Sequence, residues 1–324
     1  MRCDPCSFII NIRQLNILMR KTILTVLIAL TAVAANAQFL FRVSSGGLKE
    51  PSYMLGTIHV LSGDLLDSIP AFLEAEKQCR QMYVETDVTN PQRKTDTENL
   101  VNRVMTLPDS MTIFDVMGEE KSKLLKERMK EACHIDLDNS GSKQMLNMQP
   151  FVFSLSLNTM MLIDVIKKYP AFSKGKMMDG ACIARAKAHE WKIGNLDQNM
   201  NEEEMNKKKE EFGNTIAEQT DSLAALLENF DKRKQDILKT FEGMDTMCDY
   251  WTKGDYEGFE EFIRKDNETN PGIYGDRNKK WMPIMTEAMK EAPTLFVFGA
   301  GHLTGPDGIV SQLRKAGYEV EQIK

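Results

Sequence analysis

The chain has 324 residues, with 41 Lys and Arg against 47 Asp and Glu, a formal net charge of −6, six Cys and only four His. That acidic balance argues against broad nucleic-acid binding, which needs clustered basic side chains to replace phosphate counterions. At 42% hydrophobic and 27% charged, the composition is that of a folded soluble chain and excludes the disordered and collagen-like classes, while the length allows one large domain or two ordinary ones.

Taken in chain order, the first legible segment is a targeting signal. Met19-Arg20-Lys21 is a charged start, Thr22 to Ala35 is almost entirely apolar or small, and Ala35-Asn36-Ala37 is a small-x-small cleavage site, the three parts of an export signal in order. A short buried or anchoring helix is the alternative, but the run is short for a membrane span of about 20 residues. Residues 1–37 are therefore read as an N-terminal extension and signal peptide, the signal being 19–37, and 38–324 as a single domain that is exported and periplasmic or secreted after cleavage near Ala37. Cleavage there would leave 287 residues, remove four basic and one acidic side chain, and bring the net charge to −9. Cys79, Cys133, Cys182 and Cys248 would remain; as two disulfides they have three connectivities, and as buried free thiols none.

Ser52 to Leu61 reads as a buried strand running into a loop, bounded by Pro51 and Gly63. Pro70 opens a helix to about Arg80, and Met82 to Asp87 is a second strand. Strand, helix and strand in this order form a βαβ unit, which implies parallel pairing. The middle is helical around 95–106, 119–133 and 143–168. A helix over about Asp179–Glu190 leads to a possible strand at Trp191–Leu196. Asn201 with Glu204 forms a helix cap, Glu203–Lys207 and Glu204–Lys208 are favourable i,i+4 pairs, and helices continue to Met247 and over 255–265 and 277–291. Thr294 to Phe298 is strongly β; a helix to Ala316 and a last strand at Tyr318–Ile323 complete a second βαβ unit. The fold expected is α/β, a mixed sheet built from the N- and C-terminal units with a helical middle insertion.

Two motifs stand out. Gly56-Thr57-Ile58-His59 and Gly299-Ala300-Gly301-His302 are both Gly-x-x-His at the carboxyl end of an apolar strand, the rim where open α/β sheets bind ligands. Gly56, Gly299 and Gly301 permit close backbone approach there. Glu85 ends the second strand and should reach the same rim. His59, His302 and Glu85 together are chemically able to hold Mn²⁺, Co²⁺, Zn²⁺ or Fe²⁺, and such an ion lowers the pKa of bound water. Asp87 is a reserve ligand, and Asp179 and Asp197 flank the middle helix and strand. Arg277 and Asn278 open the last long helix, where Arg277 could bind a substrate carboxylate or an oxyanion, or form a surface ion pair. His134 and His189 have no such context. No Gly-x-Ser-x-Gly, Walker or His-Glu-x-x-His motif is present.

The runs Tyr53–His59, Tyr83–Asp87, Arg277-Asn278 and Gly299–Gly308, followed by Leu313 and Gly317-Tyr318, resemble the TraB/GumN family, which includes the TIKI proteases that inactivate Wnt proteins. The likeness extends from Phe41 to Ile323 and is specific at the two ends. It implies a fold shared with ChaN-like and erythromycin-esterase-like proteins, an active site on the paired Gly-x-x-His motifs and Glu85, and Mn²⁺ or Co²⁺ as the metal. Leu196-Asp197 stands where the family usually has Leu-Glu, so a contact there is one methylene shorter. The resulting expectation is an exported metal-dependent hydrolase acting on a peptide or protein: His59, Glu85 and His302 bind the metal, Glu85 ligates or serves as general base, and Arg277 and Asn278 position substrate. A non-catalytic periplasmic protein binding metal, haem or peptide is one alternative. The other is an esterase-like hydrolase in which one histidine is the general base without metal.

Overall fold

The computed structural model describes residues 39–87, 89–108, 111–166, 176–199, 201–269 and 274–323; the signal read at 19–37 lies outside them. The first two strands are β1 (Leu40–Ser45) and β2 (Ser52–Thr57), followed by α1 (Pro70–Gln78) and β3 (Gln81–Val84). The middle contains α2 (Pro91–Val104), α3 (Ile113–Cys133), the single turn α4 (Lys143–Leu146), α5 (Pro150–Ile166), α6 (Met178–Ala188), β4 (Lys192–Asn195), α7 (Glu202–Glu210), α8 (Ile216–Glu228), α9 (Phe230–Lys253) and α10 (Tyr256–Thr269). The end is α11 (Gly275–Glu291), β5 (Thr294–Gly299), α12 (Ile309–Lys315) and β6 (Tyr318–Gln322).

The strands form one mixed sheet in the order β4-β3-β5-β2-β1-β6. β5 lies between β2 and β3 and is parallel to both, with Leu55 opposite Val297 and Val84 opposite Val297. The sequence-derived βαβ unit at the N-terminus is therefore parallel, but its two strands do not touch, because a strand from the far end of the chain separates them. β5 is buried on both faces, with Leu295, Phe296, Val297 and Phe298 each at 1% exposure or less, as a central parallel strand covered by helices must be.

Two strands join the sheet beyond the two terminal units, and one of them, β4, is the strand expected at Trp191–Leu196. β1 was not anticipated: it pairs antiparallel with both β2 and β6. Its signal is the apolar run from Phe39 to Val43, all buried except Arg42. β4 pairs parallel with β3, so the middle of the chain adds a strand to the sheet as well as helices. The helices there pack by the same logic as the sheet: Leu125 and Met129 of α3, Phe153 and Leu157 of α5 and Leu223 and Leu227 of α8 are fully buried in a core continuous with that of the sheet. Their starts are chemically marked, since Thr112–Asp115, Asn201–Glu204 and Thr215–Glu218 each form a reciprocal capping box. The anticipated Glu203–Lys207 pair closes at 3.1 Å.

The four cysteines among the described residues are free thiols. Burial pushes Cys79 and Cys248 up to about 12 and raises Cys182 further, which leaves almost no thiolate at neutral pH. In the folded protein these three should resist iodoacetamide and label only on unfolding, as read by mass spectrometry. Truncating Phe296 to Ala empties the centre of the sheet and should cost about 3–5 kcal/mol in urea unfolding, whereas Glu319→Ala, on the exposed side of β6, should stay within about 0.5 kcal/mol.

Candidate active site

Because β2, β3 and β5 are parallel neighbours, their carboxyl ends emerge side by side. Glu85 follows β3 directly, His59 stands two residues past β2, and His302 sits on a 3₁₀ turn (Ala300–Leu303) just beyond β5. The structure thus brings the three residues together: Glu85 Oε1 lies 3.7 Å from His59 Nε2 and 3.9 Å from His302 Nε2. The backbone permits this closeness at Gly299, where a Cβ would meet His59 Nε2 at 3.2 Å and Glu85 Oε1 at 3.3 Å. At Gly301 a Cβ would collide with the Tyr274 ring at 2.5 Å, and at Gly56 with Leu303 at 2.5 Å.

His59 is held from behind. Its Nδ1 is hydrogen-bonded to Asp179 Oδ2, and Asp179 occupies the first turn of α6, where the helix N-terminus favours a carboxylate. Two backbone hydrogen bonds tie the loop after His59 to the start of that helix: Gly63 N–H to Lys176 O at 2.8 Å and Met178 N–H to Leu61 O at 2.9 Å. Further support comes from Trp251 of α9, whose Nε1–H donates to the buried Gly56 carbonyl at 2.8 Å. The hydrogen bond to Asp179 raises the pKa of His59 above its ordinary value, against the opposing pull of burial. The side chain is half exposed, so Nε2 meets solvent in the cleft.

His302 is the opposite case. It is 2% exposed, with its ring 4.2 Å from that of Trp281 and 5.0 Å from that of Tyr274, centroid to centroid. Desolvation, with Arg277 and His59 nearby, pushes it down to about 3. Its hydrogen bonds agree. Asn278 Nδ2 donates to the carbonyls of His302 and Asp307, which leaves Asn278 Oδ1 to accept from His302 Nδ1 at 2.6 Å. The Nε2 lone pair then accepts from Arg277 Nη1 at 3.2 Å. His302 is the neutral tautomer protonated at Nδ1. Asn278, fully buried, holds that tautomer and does not face a substrate, which corrects its sequence-stated role.

Arg277 is the hub of the site. Nη2 donates to Glu85 Oε2 at 2.5 Å and to Asp197 Oδ2 at 2.7 Å, Nε reaches Asp197 Oδ1 at 3.4 Å, and Nη1 donates to His302. Burial lowers its pKa, but the carboxylates of Asp197 and Glu85 outweigh burial and raise it. Asp197 is pinned by continuing the β3–β4 pairing past the strand ends, with Asp197 N–H on Glu85 O at 2.9 Å. It also accepts from Trp281 Nε1 at 2.8 Å. Asp87 stays out of the cluster: its carboxylate accepts from the backbone and hydroxyl of Thr89. His189 lies against Trp191 and Glu76, and His134 caps α3 with φ 55°; neither joins the site. Sequence reading did not find Tyr274, Trp251 or Trp281; only the spacing of Trp281, one helical turn after Arg277, signals a shared face.

The donors as placed do not fit a resident metal ion. Glu85 Oε1 already accepts from Gly299 N–H at 2.7 Å, Glu85 Oε2 holds Arg277, and the His302 lone pair is taken by the same guanidinium. A dication among them would sit against a fixed cation and displace these bonds. Among the described residues, no group of three His, Cys, Asp or Glu is arranged to hold an ion. The arrangement instead presents a carboxylate-backed imidazole beside a guanidinium, at the wall of an open cleft of about 310 Å³ lined also by Val84, Thr86, Ile183 and Val297.

The profile of the TraB/PrgY/gumN family matches residues 39–322. The chain belongs to that family. Searches of curated proteins and of solved structures returned no match.

Removing Asn278 should show how firmly His302 is held. Asn278→Ala leaves His302 Nδ1 and two carbonyls without their partner and should cost at least about 2 kcal/mol in chemical denaturation. Because the folded-state pKa of His302 is depressed to about 3, its contribution is full above the ordinary value near 6.5 and is lost as pH falls from there towards 3. The stability difference between wild type and His302→Asn should therefore shift over that window.

Proposed function

We propose that this chain is a hydrolase of acyl compounds, peptides or esters, in which His59 is the general base. The observation that carries the reading is the His59–Asp179 pair facing Arg277 across the cleft. Bonded to Asp179, Nδ1 keeps the proton and Nε2 offers its lone pair to a water molecule. Water gives one of its own protons to Nε2 as its oxygen attacks the acyl carbonyl. The carbonyl oxygen then gains charge beside Arg277, whose second Nη1 hydrogen is free of the contacts above, and a fixed cation there stabilises an oxyanion. The imidazolium so formed lies between Asp179 and Glu85 Oε1, and it returns the proton to the leaving group.

In this reading Glu85, Asp197 and His302 aim Arg277, and no step passes through a metal. A metal-dependent version rests on the convergence of the two Nε2 atoms on Glu85 Oε1, and it requires Arg277 to leave. The likeness to ChaN-like and erythromycin-esterase-like folds and the export of the chain belong to the same proposal, the latter on the Met19–Ala37 signal pattern. Among the described residues, no helix is long and apolar enough to cross a membrane.

The test is hydrolysis of p-nitrophenyl butyrate and of a fluorogenic peptide library. His59→Ala should lose at least about 10²-fold in kcat/KM, with Asp179→Asn intermediate. The base must be neutral to act, so kcat/KM should rise with pH through an inflection above 6.5, the ordinary histidine value, because Asp179 raises His59. EDTA should leave the rate unchanged. Activity that appears only with added Mn²⁺ or Co²⁺ would establish the metal-dependent version. Tight ligand binding with no turnover would favour the binding-protein alternative.

A further inference from the structure

The charges around the cleft do not balance, and the imbalance bears on what the cleft accepts. Glu85, Asp179 and Asp197 line it, and among the described lining residues Arg277 is the only Lys or Arg. The hydrogen-bond pattern fixes His302 as neutral, since its Nε2 accepts from Arg277 and its Nδ1 donates to Asn278. Of the five N–H bonds of a guanidinium, four are committed: Nε and one Nη2 hydrogen to Asp197, the other Nη2 hydrogen to Glu85, and one Nη1 hydrogen to His302. The pair needed for a two-point grip on a carboxylate or phosphate is not available. Arg93 touches the rim at 3.5 Å from Thr86 Oγ1, but its guanidinium is anchored on the carbonyls of Asp197 and Gln198, each at 3.1 Å. One oxygen of Asp179, Oδ1, is buried with no hydrogen-bond partner. With His59 neutral, as a base must be, the described lining residues set three acidic side chains against one guanidinium.

We propose that the cleft selects an acyl substrate whose reacting end is neutral or carries an ammonium or guanidinium group, and that it rejects a carboxylate or phosphate beside the scissile carbonyl. The mechanism rests on the hydrolase reading above, but the charge selection is testable apart from it. Of the roles open to Arg277 from sequence, a substrate carboxylate, an oxyanion or an ion pair, it favours the second: the guanidinium serves the protein's own carboxylates first, and its one remaining hydrogen is suited to an oxyanion that forms only in the transition state. The acidic net charge of the chain acts in the same direction at longer range.

Two measurements on the full chain separate the outcomes. In the first, the His59 imidazole resonances are followed by NMR while butylammonium chloride or sodium butyrate is added at matched ionic strength. Butylammonium should perturb His59 at about tenfold lower concentration than butyrate, and the gap should narrow in 0.5 M salt, about the condition where exposed charges are screened within a few ångströms. Glu85→Gln should narrow it too; the salt series on wild type keeps the test decisive if that variant does not fold. Equal or tighter binding of butyrate, or no perturbation by butylammonium, overturns the proposal. In the second, turnover of the p-nitrophenyl esters of 4-aminobutyrate, butyrate and hemisuccinate is compared, with kcat/KM expected to fall in that order. If hemisuccinate is preferred, the charge inference fails and the hydrolase reading stands. If no ester is cleaved while the ammonium preference holds, the hydrolase reading fails and the charge inference stands.

Discussion

Everything at the site follows from where β5 lies. A strand from the last tenth of the chain is wedged, in parallel, between two strands from the first third. Parallel strands present all their carboxyl ends to one rim, so inserting β5 there carries the turn bearing His302 into the gap between His59 and Glu85. The wedge also explains why the centre is so apolar. A strand paired on both sides and covered on both faces has no place for a solvated side chain, and Leu295 to Phe298 are fully buried.

Around that rim the dominant physics is the satisfaction of one partly exposed cation. Arg277 draws in two carboxylates and an imidazole lone pair, and each of these is held by something else: Glu85 by the Gly299 amide, Asp197 by Trp281 and the β3–β4 continuation, His302 by Asn278. A charge drawn partly out of water is tolerated when most of its hydrogen bonds are made, and four of the five N–H bonds of Arg277 are. The two histidines consequently end up with opposite properties. His302 is buried and kept neutral, so it is a fixed acceptor, while His59 is exposed and paired with Asp179, so it is the one whose proton can move.

Much of this was legible in the sequence, and the reason is local. Each Gly-x-x-His motif advertises a strand end by an apolar run followed by glycine, and Glu85 follows another such run, so the three residues could be placed on one rim without knowing the strand order. The apolar surroundings of His302 and the partners of Arg277 were not legible, because they depend on packing. Arg277 lies in the first turn of an ordinary amphipathic helix, and only the fold shows that α11 lays it across Glu85 and Asp197. The metal expectation arose from residue types and strand-end placement; a His/His/Glu set looks the same in sequence whether or not a guanidinium bonds two of its members, as Arg277 bonds Glu85 and His302 here. Asn278 was misread for a similar reason, since an amide beside an arginine gives no hint that it faces inward. β1 was missed because a short apolar run just after a segment that reads as a signal is easily absorbed into it, and its antiparallel pairing has no local signature.

The two margins of the sheet have a consequence of their own. Open strand edges invite a second chain to add on, and proteins discourage this with short or charged outer strands. Here β4 has only four residues and carries the exposed Lys192, which is paired with Glu291 at 2.8 Å. At the other margin β6 alternates buried Tyr318 and Val320 with exposed Glu319 and Glu321, so like charges face any approaching copy. The long apolar strand that would be most dangerous as an edge, β5, is the one enclosed at the centre. The arrangement that gathers the cleft residues thus also keeps the stickiest part of the chain from meeting its neighbours.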